Sequence, residues 1–537
     1  MKLEFDPTVY PYPSRRYALF ATKGMACTST PQSAQVGLEI LKKGGNAIDA
    51  AVAMAACQSV VEPVSNGIGS DAFALVWTKG KLYGLNASGW SPKALTADML
   101  RAKGLTEMPV YGWEAITVPG APAAWAALAE RFGRLSLSEL VEPASRYAEE
   151  GYPVALNVAS GWQRHHHHFS TQQGEEFKPY FDEFTIDGRA PRAGEVFRNP
   201  YMANTLREIG ATKAESFYRG ALAEKIVAFA QRTNGYFSAE DFGEYYPEWV
   251  EPISVNYRGY DVCELPPNGH GITVLMALNL LKGFDLGSYR DCIDVYHKQI
   301  EAIKLAFSDA GAYVTDPRDM RVKVEELLSD AYADERRKLI TDTACMPVAG
   351  DPRCGGTIYL CTADAEGNMV SYIQSNYRGF GSGVIVPGTG ISLQDRGNNF
   401  SLDPKHDNVY APRKRPYHTI IPGFLIKDGE AVGPFGVMGG FMQPQGHVQM
   451  VCNTIDFHLN PQASLDAPRW QWVGGRNIEV EHSMPTHLIQ QLADRGHQVK
   501  TVYDWVSMGR GQIIWRLDNG VYCGGVEPRT DSSLALW

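Results

Sequence analysis

At about residue 357 the hydrophobic pattern of this 537-residue chain changes from one typical of helices to one typical of strands. Before that point the spacing of apolar residues predicts helices over 31–43, 47–61, 121–133 and 295–313, and a hairpin over 72–85. Beyond it, TIYLCTA and MVSYIQS predict a second hairpin, and VIVP, HTIIPGFLI and VGPFGVM predict further strands. Helices in blocks followed by strands in blocks predict an α+β architecture, with stacked sheets covered by helices.

The composition limits the class of protein. Hydrophobic residues are 44% and charged residues 20% of a chain without an obvious linker, so we expect one large globular unit. The net charge of -10 comes from interspersed acids, and no basic stripe indicates nucleic-acid binding. No run of 18 apolar residues occurs, and the first 20 residues contain charges and prolines. We therefore expect a cytoplasmic protein with no membrane span and a small-molecule partner.

Neither the cysteines nor the histidines indicate a metal site. The nine cysteines have no CxxC spacing and predict free thiols, mostly in the core. Adjacent histidines at His165 to His168 point in diverging directions, with no further ligand at metal spacing, so we expect a solvated loop. No GxxxxGK[ST], GxSxG or HExxH motif occurs, and we expect no metal and no cofactor.

Thr357 follows Gly355-Gly356 at the start of the strand block. Its simplest interpretation is the first residue of a strand. A threonine hydroxyl can also act as a nucleophile when its own α-amine is the base, which requires cleavage before it. A Gly-Gly pair would let the hydroxyl attack the preceding carbonyl and shift the acyl group from N to O. Gly439 and Gly440 could supply an oxyanion hole, although a plain glycine loop explains them equally well.

Several spaced segments then resemble one family. They are GMACTSTPQSAQVGLEILKKGGNAIDAAVA, VPGAPAAW, PPNGHGI, EAIKLAFSD, GGTIYLCTADAEGNMVSYIQSNYRGFGSG, KRPYHTIIP and MGG. In this order they resemble the γ-glutamyltransferase family of N-terminal nucleophile hydrolases, from about residue 24 to the C-terminus. The resemblance implies a four-layer αββα fold and self-cleavage between Gly356 and Thr357. The products would be a large segment, 1–356, and a small segment, 357–537, that form a heterodimer; a dimer of heterodimers is left open.

The resemblance also implies residue roles. Thr357 matches the nucleophile, Ser375 the hydroxyl that orients the Thr357 amine, and Gly439 and Gly440 the oxyanion hole. The family's clamp for an amino-acid substrate is missing. Where the family places an arginine for the α-carboxylate, this chain has Ser88, within Asn86 to Pro92. Asn399 replaces the acid that binds the α-amine, and His418 and Thr419 replace paired serines.

Other departures point to a different substrate. Arg396 stands where the family tends to have a neutral amide, and Tyr377 where a small polar side chain is expected, while Met438 and Phe441 flank the glycine pair. One arginine without an ammonium binder suggests a short substrate with a single carboxylate, although Arg396 could instead form a structural ion pair. The pattern most resembles the oxamate amidohydrolases of purine breakdown, which hydrolyse the oxamate amide to oxalate and ammonia.

Four alternatives stay open. Two of them keep the family chemistry: a γ-glutamyl hydrolase or transferase acting on glutathione-like substrates, and an acylase with a bulkier acyl group. A third is an uncleaved protein that only binds a ligand. The fourth is a thiol enzyme that uses Cys354 or Cys361, although no histidine lies near either cysteine in the sequence.

Overall fold

The computed structural model describes residues 3–6, 8–12, 16–347, 356–503 and 506–537. Its strands are β1 (Leu19–Ala21), β2 (Gly24–Thr28), β3 (Asp71–Thr78), β4 (Lys81–Ala87), β5 (Tyr152–Pro153), β6 (Val196–Phe197), β7 (Glu248–Val250), β8 (Ile253–Tyr257), β9 (Tyr260–Glu264), β10 (Gly356–Asp364), β11 (Met369–Tyr377), β12 (Ile385–Val386), β13 (Ile391–Ser392), β14 (Gly423–Lys427), β15 (Glu430–Met438), β16 (Trp470–Gly474), β17 (Asn477–Glu481), β18 (Gln498–Val502), β19 (Arg510–Arg516), β20 (Tyr522–Val526) and β21 (Ser533–Leu536).

The helices are α1 (Pro31–Lys42), α2 (Ala47–Val61), α3 (Ala97–Ala102), α4 (Ala121–Phe132), α5 (Leu137–Glu150), α6 (Leu156–Phe169), α7 (Lys178–Glu183), α8 (Pro200–Thr212), α9 (Glu215–Arg219), α10 (Ala221–Arg232), α11 (Ala239–Gly243), α12 (Gly271–Leu281), α13 (Ile293–Tyr313), α14 (Val324–Leu327), α15 (Asp330–Arg337), α16 (Met442–Ile455), α17 (Pro461–Asp466) and α18 (Thr486–Asp494).

Two seven-stranded sheets form the centre of the fold. From one edge strand to the other, the strand order is β1-β20-β19-β15-β14-β9-β8 in sheet 1 and β21-β2-β10-β11-β3-β4-β7 in sheet 2. Side chains such as Phe73, Tyr359 and Phe424 fill the layer between the two sheets. Helices α1, α2, α4 and α5 cover the outer face of sheet 2, while α12, α13 and α16 cover sheet 1. The fold is therefore the predicted four-layer αββα arrangement.

The local sequence explains why helix α2 lies at the centre of its layer. Every residue of α2 is buried, as its almost wholly apolar sequence predicts. The Asn46 side chain caps the helix by accepting from the backbone N–H groups of Ile48 and Asp49. In turn, the Asp49 carboxylate accepts from the backbone N–H of Asn46. The capping box satisfies amides that would otherwise be buried without partners.

The predicted hairpins are confirmed. Strands β3 and β4 turn at Lys79 and Gly80, both with positive φ, and β10 pairs antiparallel with β11. The four helices predicted from apolar spacing correspond to α1, α2, α4 and α13. The segment HTIIPGFLI is a strand only from Gly423, because Pro422 has no N–H to donate to a ladder.

Strand β2 was not predicted; it lies beside β10 in sheet 2, while the predicted strand β3 lies beside β11. One expectation is wrong. His165 to His168 do not form a loop but the last turn of α6, which is held by the buried side chains of Trp162 and Phe169. The apolar residues on one face of that segment outweigh the polarity of the histidines.

Candidate active site

Thr357 lies at an irregularity in the pairing of β10 with β11. Gly356 pairs with Tyr377, but the register shifts before Ile358, which places Thr357 in a β-bulge. Such a bulge redirects a side chain out of the regular alternation. The Thr357 Oγ1 atom lies 3.1 Å from Ser375 Oγ, and both side chains are fully buried. The structure thus brings together the two hydroxyls that the sequence analysis placed on opposite arms of one hairpin.

Further hydrogen bonds fix both hydroxyl groups. The Tyr377 amide donates to Ser375 Oγ at 2.8 Å, and Gln443 Nε2 donates to Thr357 Oγ1 at 3.4 Å. Gln443 Oε1 accepts from the Ile421 amide at 3.0 Å, which orients the side-chain amide. Gln443 was not among the predicted site residues. Its only sequence signal is its place in the first helical turn after the glycine pair.

Gly439 and Gly440 connect β15 to α16 beside this site. Their φ angles are 133° and 59°, a region that favours glycine. Their carbonyls accept from the amides of Met442 and Gln443, each at 3.1 Å, so the glycine pair leads directly into the turn that contacts Thr357. Their role as an oxyanion hole stays a prediction.

Arg396 is fully buried at the start of a short 3-10 helix, Arg396–Asn399. Its Nη1 donates to Thr419 Oγ1 at 2.5 Å, and its guanidinium lies 4.7 Å from the centre of the Tyr377 ring. Its Nε and Nη2 atoms have no hydrogen-bond partner among the described residues. Burial lowers the pKa of Arg396 to about 10, which leaves it charged at neutral pH. Buried charged donors without a partner are costly, so this edge is suited to a bound anion.

Asp71 and His418 lie beside Arg396. Asp71 is directly opposite Ser375 in the pairing of β3 with β11. His418 Nδ1 accepts from the Ile420 N–H at 3.4 Å, so the neutral ring carries its hydrogen on Nε2, which donates to Asp71 Oδ2 at 3.0 Å. Burial raises the pKa of Asp71 to about 8, against the opposing effect of Arg396. Burial also lowers the pKa of His418 well below its usual value. Both groups are therefore mainly neutral at pH 7, and Arg396 is the charged member of the group.

A cavity of about 330 Å³ borders this group. Tyr377 and Asn399 line it, and its aromatic wall contains Phe307, Tyr417, Phe441 and Trp472. The Asn399 Nδ2 atom is buried and has no hydrogen-bond partner within the described part of the chain. Arg396, His418 and Thr419 do not line the cavity. The Tyr377 side chain lines the cavity, and its ring also lies against the Arg396 guanidinium.

Sequence reasoning missed Asp71 and His270 as well as Gln443. Asp71 is an acid at the start of the otherwise apolar run DAFALVW, which is a usable signal. His270 packs against Phe307, Tyr417 and Phe441, and neither ring nitrogen has a hydrogen-bond partner among the described residues. Burial lowers the pKa of His270 well below its usual value. No local pattern in PPNGHGI distinguishes this histidine from a loop residue.

The thiol alternative gains no support from the described residues. Cys361 pairs in register with Cys27 in the apolar layer between the two sheets. Burial raises the pKa of the Cys27 thiol well above its usual value. Cys354 lies outside the described residues. The eight described cysteines are all free thiols, as predicted, and six of them are buried.

Within the described ranges, one group of side chains has the spacing of metal ligands: His297, Glu301 and His497. His297 Nε2 donates to the Thr341 carbonyl at 2.7 Å, so its Nδ1 accepts from His497 Nε2 at 2.9 Å. Lys304 Nζ already binds Glu301 at 2.7 Å. Because an ammonium group and directed hydrogen bonds satisfy these atoms, the group is best explained as a structural network.

Two sheets packed between helical layers, with a buried threonine beside a second hydroxyl at the start of a strand, define an N-terminal nucleophile hydrolase. The sequence profile described as Gamma-glutamyltranspeptidase matches residues 33–537. The chain belongs to the γ-glutamyltranspeptidase family and is an enzyme of that family. No helix in the described part of the chain has the length and apolar character of a membrane span.

Three relatives illustrate the range of the family around this chain. It is 38% identical to the glutathione hydrolase-like YwrD proenzyme of Bacillus subtilis (strain 168), over 96% of this chain and 99% of the relative. It is 32% identical to the oxamate amidohydrolase proenzyme of Klebsiella pneumoniae subsp. pneumoniae, over 96% and 98%. A crystal structure of cephalosporin acylase from Bacillus halodurans is 58% identical, with a TM-score of 0.95 and 99% of both chains covered.

Proposed function

We propose that this enzyme hydrolyses amides whose acyl part has one carboxylate, and that oxamate is the smallest such substrate. The observation that carries the proposal is the buried, charged guanidinium of Arg396, whose Nε and Nη2 atoms have no partner among the described residues. A carboxylate could accept from both atoms at once, and such charge-assisted pairs are the strong ones. Movement of the Tyr377 ring would give the carboxylate access from the cavity.

The proposed reaction begins with self-cleavage between Gly356 and Thr357. The Thr357 hydroxyl then attacks the amide carbon, while its freed α-amine accepts the proton. The C–N bond breaks, the amine leaving group takes a proton, and an ester to Thr357 Oγ1 remains. Water hydrolyses that ester, releasing the carboxylic acid and restoring the hydroxyl. Ser375, 3.1 Å from Thr357 Oγ1, would orient the new amine, and Gly439 and Gly440 would stabilise the oxyanion.

Cleavage would leave two interleaved segments, 1–356 and 357–537. In sheet 2, β10 lies between β2 from the first segment and β11 from the second, and β3 pairs with β11. Separating the segments would break these ladders and expose both apolar layers. We therefore propose a stable heterodimer, in line with the word proenzyme in the names of two relatives.

The site is poorly suited to an ammonium group. Asn399 offers an amide where a carboxylate would be needed, His418 is neutral, and the raised pKa of Asp71 keeps that carboxyl mainly protonated at pH 7. An ammonium group would be left badly paired beside Arg396. These features favour an acyl part without an α-amine over a γ-glutamyl group. They also agree with the relative named oxamate amidohydrolase.

A second candidate is an acylase with a bulky substrate. The aromatic cavity of about 330 Å³ is in the size range of sites for drug-sized ligands, far larger than oxamate needs. The 58% identical structure is described as a cephalosporin acylase. In this version Arg396 would still bind the acyl carboxylate, and the cavity would take the rest of a longer substrate.

Three substrates separate these possibilities. Glutaryl 4-nitroanilide and γ-glutamyl 4-nitroanilide differ only in the α-ammonium group. The third substrate is oxamate, whose hydrolysis is measured by the ammonia that it releases. We expect kcat/KM for the glutaryl anilide to exceed that for the γ-glutamyl anilide by roughly 10-fold or more. Preference for the γ-glutamyl anilide would overturn the proposal. Faster turnover of oxamate than of the glutaryl anilide favours the first candidate, and the reverse favours the acylase.

A further inference from the structure

Glu62 is a buried carboxylate at an electrostatically unfavourable position. It caps the C-terminal end of α2 and is 1% exposed. The C-terminal end of a helix carries partial negative charge, so a carboxylate there is repelled by the backbone as well as deprived of water. Burial raises the pKa of Glu62, and Arg510 opposes that effect. An acid that is costly in both respects, and that no step of the proposed reaction uses, indicates a role other than stability.

Three buried side chains converge on the Glu62 carboxylate. The Ser29 hydroxyl donates to its Oε2 atom, Ser65 Oγ donates to Oε1 at 2.9 Å, and Arg510 Nη1 donates to Oε1 at 3.5 Å. A buried carboxylate needs such partners to offset its loss of hydration. The same contacts make Glu62 a junction between three separate backbone segments.

Two of these segments are next to the two hydroxyl groups of the site. Ser29 directly follows β2, which pairs with β10, the strand that contains Thr357. The Ser65 carbonyl accepts from the amide of Asn376 at 3.3 Å, and Asn376 directly follows Ser375 in β11. Glu62 is therefore connected to both strands of the hairpin that brings the hydroxyl groups together.

The third segment is next to the glycine pair. Arg510 lies opposite Met438 in the pairing of β19 with β15, and Gly439 is the next residue. A Cβ added at Gly439 would lie 3.1 Å from the Cα atom of Gly509, so the backbones of these two glycines are in contact. Through Arg510, Glu62 therefore holds the segment against which Gly439 packs.

We propose that Glu62 is a positioning residue that fixes the glycine pair relative to the hydroxyls of Thr357 and Ser375. The inference rests on the proposed oxyanion role of Gly439 and Gly440. An oxyanion hole stabilises the transition state only when its donors and the nucleophile are correctly spaced, and small displacements cost large factors in rate. After the proposed cleavage Glu62 would belong to the large segment and the other four residues to the small one, so the carboxylate would also keep the two segments in register.

Turnover and ground-state binding separate this role from a purely structural one. We expect Glu62→Ala to lower kcat for oxamate or glutaryl 4-nitroanilide by roughly 10-fold to 100-fold. Glu62→Gln should lower it less, because glutamine keeps the shape of the side chain but leaves Arg510 without a carboxylate. KM, and the binding of glutarate measured by calorimetry, depend on Arg396 and should change by less than about 3-fold. The kcat is expressed per mole of small fragment, because slower self-cleavage would lower the apparent turnover.

Asp49→Asn is the matched control. Asp49 is a fully buried carboxylate in the first turn of the same helix, and it accepts from the backbone amides of Asn46, Arg134 and Leu135. The control should lose thermal stability, as Glu62→Gln does, but keep the wild-type kcat. An equal loss of kcat in both variants would assign the effect to stability. Should the Glu62 variants not fold, Ser65→Ala removes one hydrogen bond to the same carboxylate and should still lower kcat.

A double-mutant cycle tests whether Glu62 acts through Arg510. The loss of kcat in Glu62→Gln/Arg510→Gln should be smaller than the product of the two single losses, since both substitutions break the same pair. Losses that multiply, or a wild-type kcat in Glu62→Ala while Gly440→Val loses turnover, would overturn the inference. Normal turnover in Gly440→Val would remove the oxyanion role and the inference with it. A wild type that hydrolyses neither substrate would overturn the proposed function itself.

Discussion

Thr419 Oγ1 accepts a hydrogen bond of 2.5 Å from Arg396 Nη1, and both side chains are fully buried. The bond fixes one corner of the guanidinium and leaves the edge formed by Nε and Nη2 without a partner among the described residues. That edge presents two parallel N–H groups, the geometry that a carboxylate accepts bidentately. The contact with Thr419 therefore orients Arg396 as well as satisfying one of its donors.

Replacing Arg396 tests this assignment. We expect Arg396→Ala to lower kcat/KM for oxamate or a glutaryl anilide by roughly 10-fold to 100-fold, the effect of losing a contact of about 1.5–3 kcal/mol. Arg396→Lys should restore only part of the activity, because a point charge cannot reproduce the fork. Self-cleavage needs no substrate carboxylate, so both variants should still give two fragments on a denaturing gel. Unchanged kinetics in Arg396→Ala would make Arg396 a structural residue.

The role of Thr357 is tested through cleavage and turnover together. Thr357→Ala should remain a single chain without activity, since both reactions use the same hydroxyl. Thr357→Ser should retain some of both activities. Intact mass should show two wild-type fragments, and Edman sequencing of the smaller should begin Thr-Ile-Tyr-Leu.

Cysteine variants provide the control for that experiment. Cys354→Ala and Cys361→Ala should both be cleaved and active if the nucleophile is the threonine. Loss of turnover in a folded, cleaved cysteine variant, with Thr357→Ala still active, would instead support a thiol enzyme.

Gly440→Val tests the proposed oxyanion hole. Gly440 has a φ of 59°, which a β-branched residue adopts only with strain, so the substitution should displace its amide. We expect turnover to fall by ~10²-fold or more, since a lost oxyanion donor costs about 2.7–4 kcal/mol of transition-state stabilisation. The matched control is Gly429→Val, at a φ of 76° in the turn between β14 and β15, where a Cβ meets nothing within 4 Å. It should lose stability but keep its turnover, and an equal loss in both variants would assign the effect to strain alone.

The proposed nucleophile and its neighbouring hydroxyl could be predicted from the sequence because each lies next to a recognisable local motif. Thr357 follows two glycines, and Ser375 lies on the other arm of a hairpin whose turn is readable in DAEGN. The four layers could be predicted from the family resemblance more than from the pattern itself. The pattern of blocks did not show that β2 and β3 pair with β10 and β11, since the pairing of distant strands depends on tertiary contacts.

Asp71 and Gln443 could not be predicted in the same way. Asp71 reaches the site because β3 pairs with β11 in a register that places it opposite Ser375, more than 300 residues later in the chain. The raised pKa of Asp71 follows from complete burial, which is a property of the assembled layers. The histidine run shows the converse: its polarity predicts a loop, but the packing of its apolar neighbours makes it the end of a helix.

Asp71 should make substrate binding depend on pH. Its pKa of about 8 lies above the ordinary aspartate value, so the carboxyl is mainly neutral below pH 8 and ionises as the pH rises through 8. An ionised Asp71 would partly neutralise Arg396 and repel a substrate carboxylate. We expect KM for oxamate or a glutaryl anilide to rise by roughly 10-fold between pH 7 and pH 9.5, the effect of about 1.4 kcal/mol. Asp71→Asn cannot ionise at this position, so its KM should rise less over that range. Asp395, whose pKa burial raises to about 7, also acts on Arg396 and titrates in both proteins.

The Thr357 amine titrates in both the wild type and Asp71→Asn, so the difference between their KM profiles reports the ionisation of Asp71.

Stability gives a second measurement of the pKa of Asp71. Because the folded-state pKa is raised, the neutral carboxyl favours the folded state at acid pH, and this contribution declines as the pH rises from about 4 to about 8. Measured by urea unfolding, wild-type protein should therefore lose more stability than Asp71→Asn between pH 5 and pH 8. A KM that rises equally in both proteins, with parallel stability profiles, would show that Asp71 is already ionised at neutral pH and that its charge is balanced by Arg396.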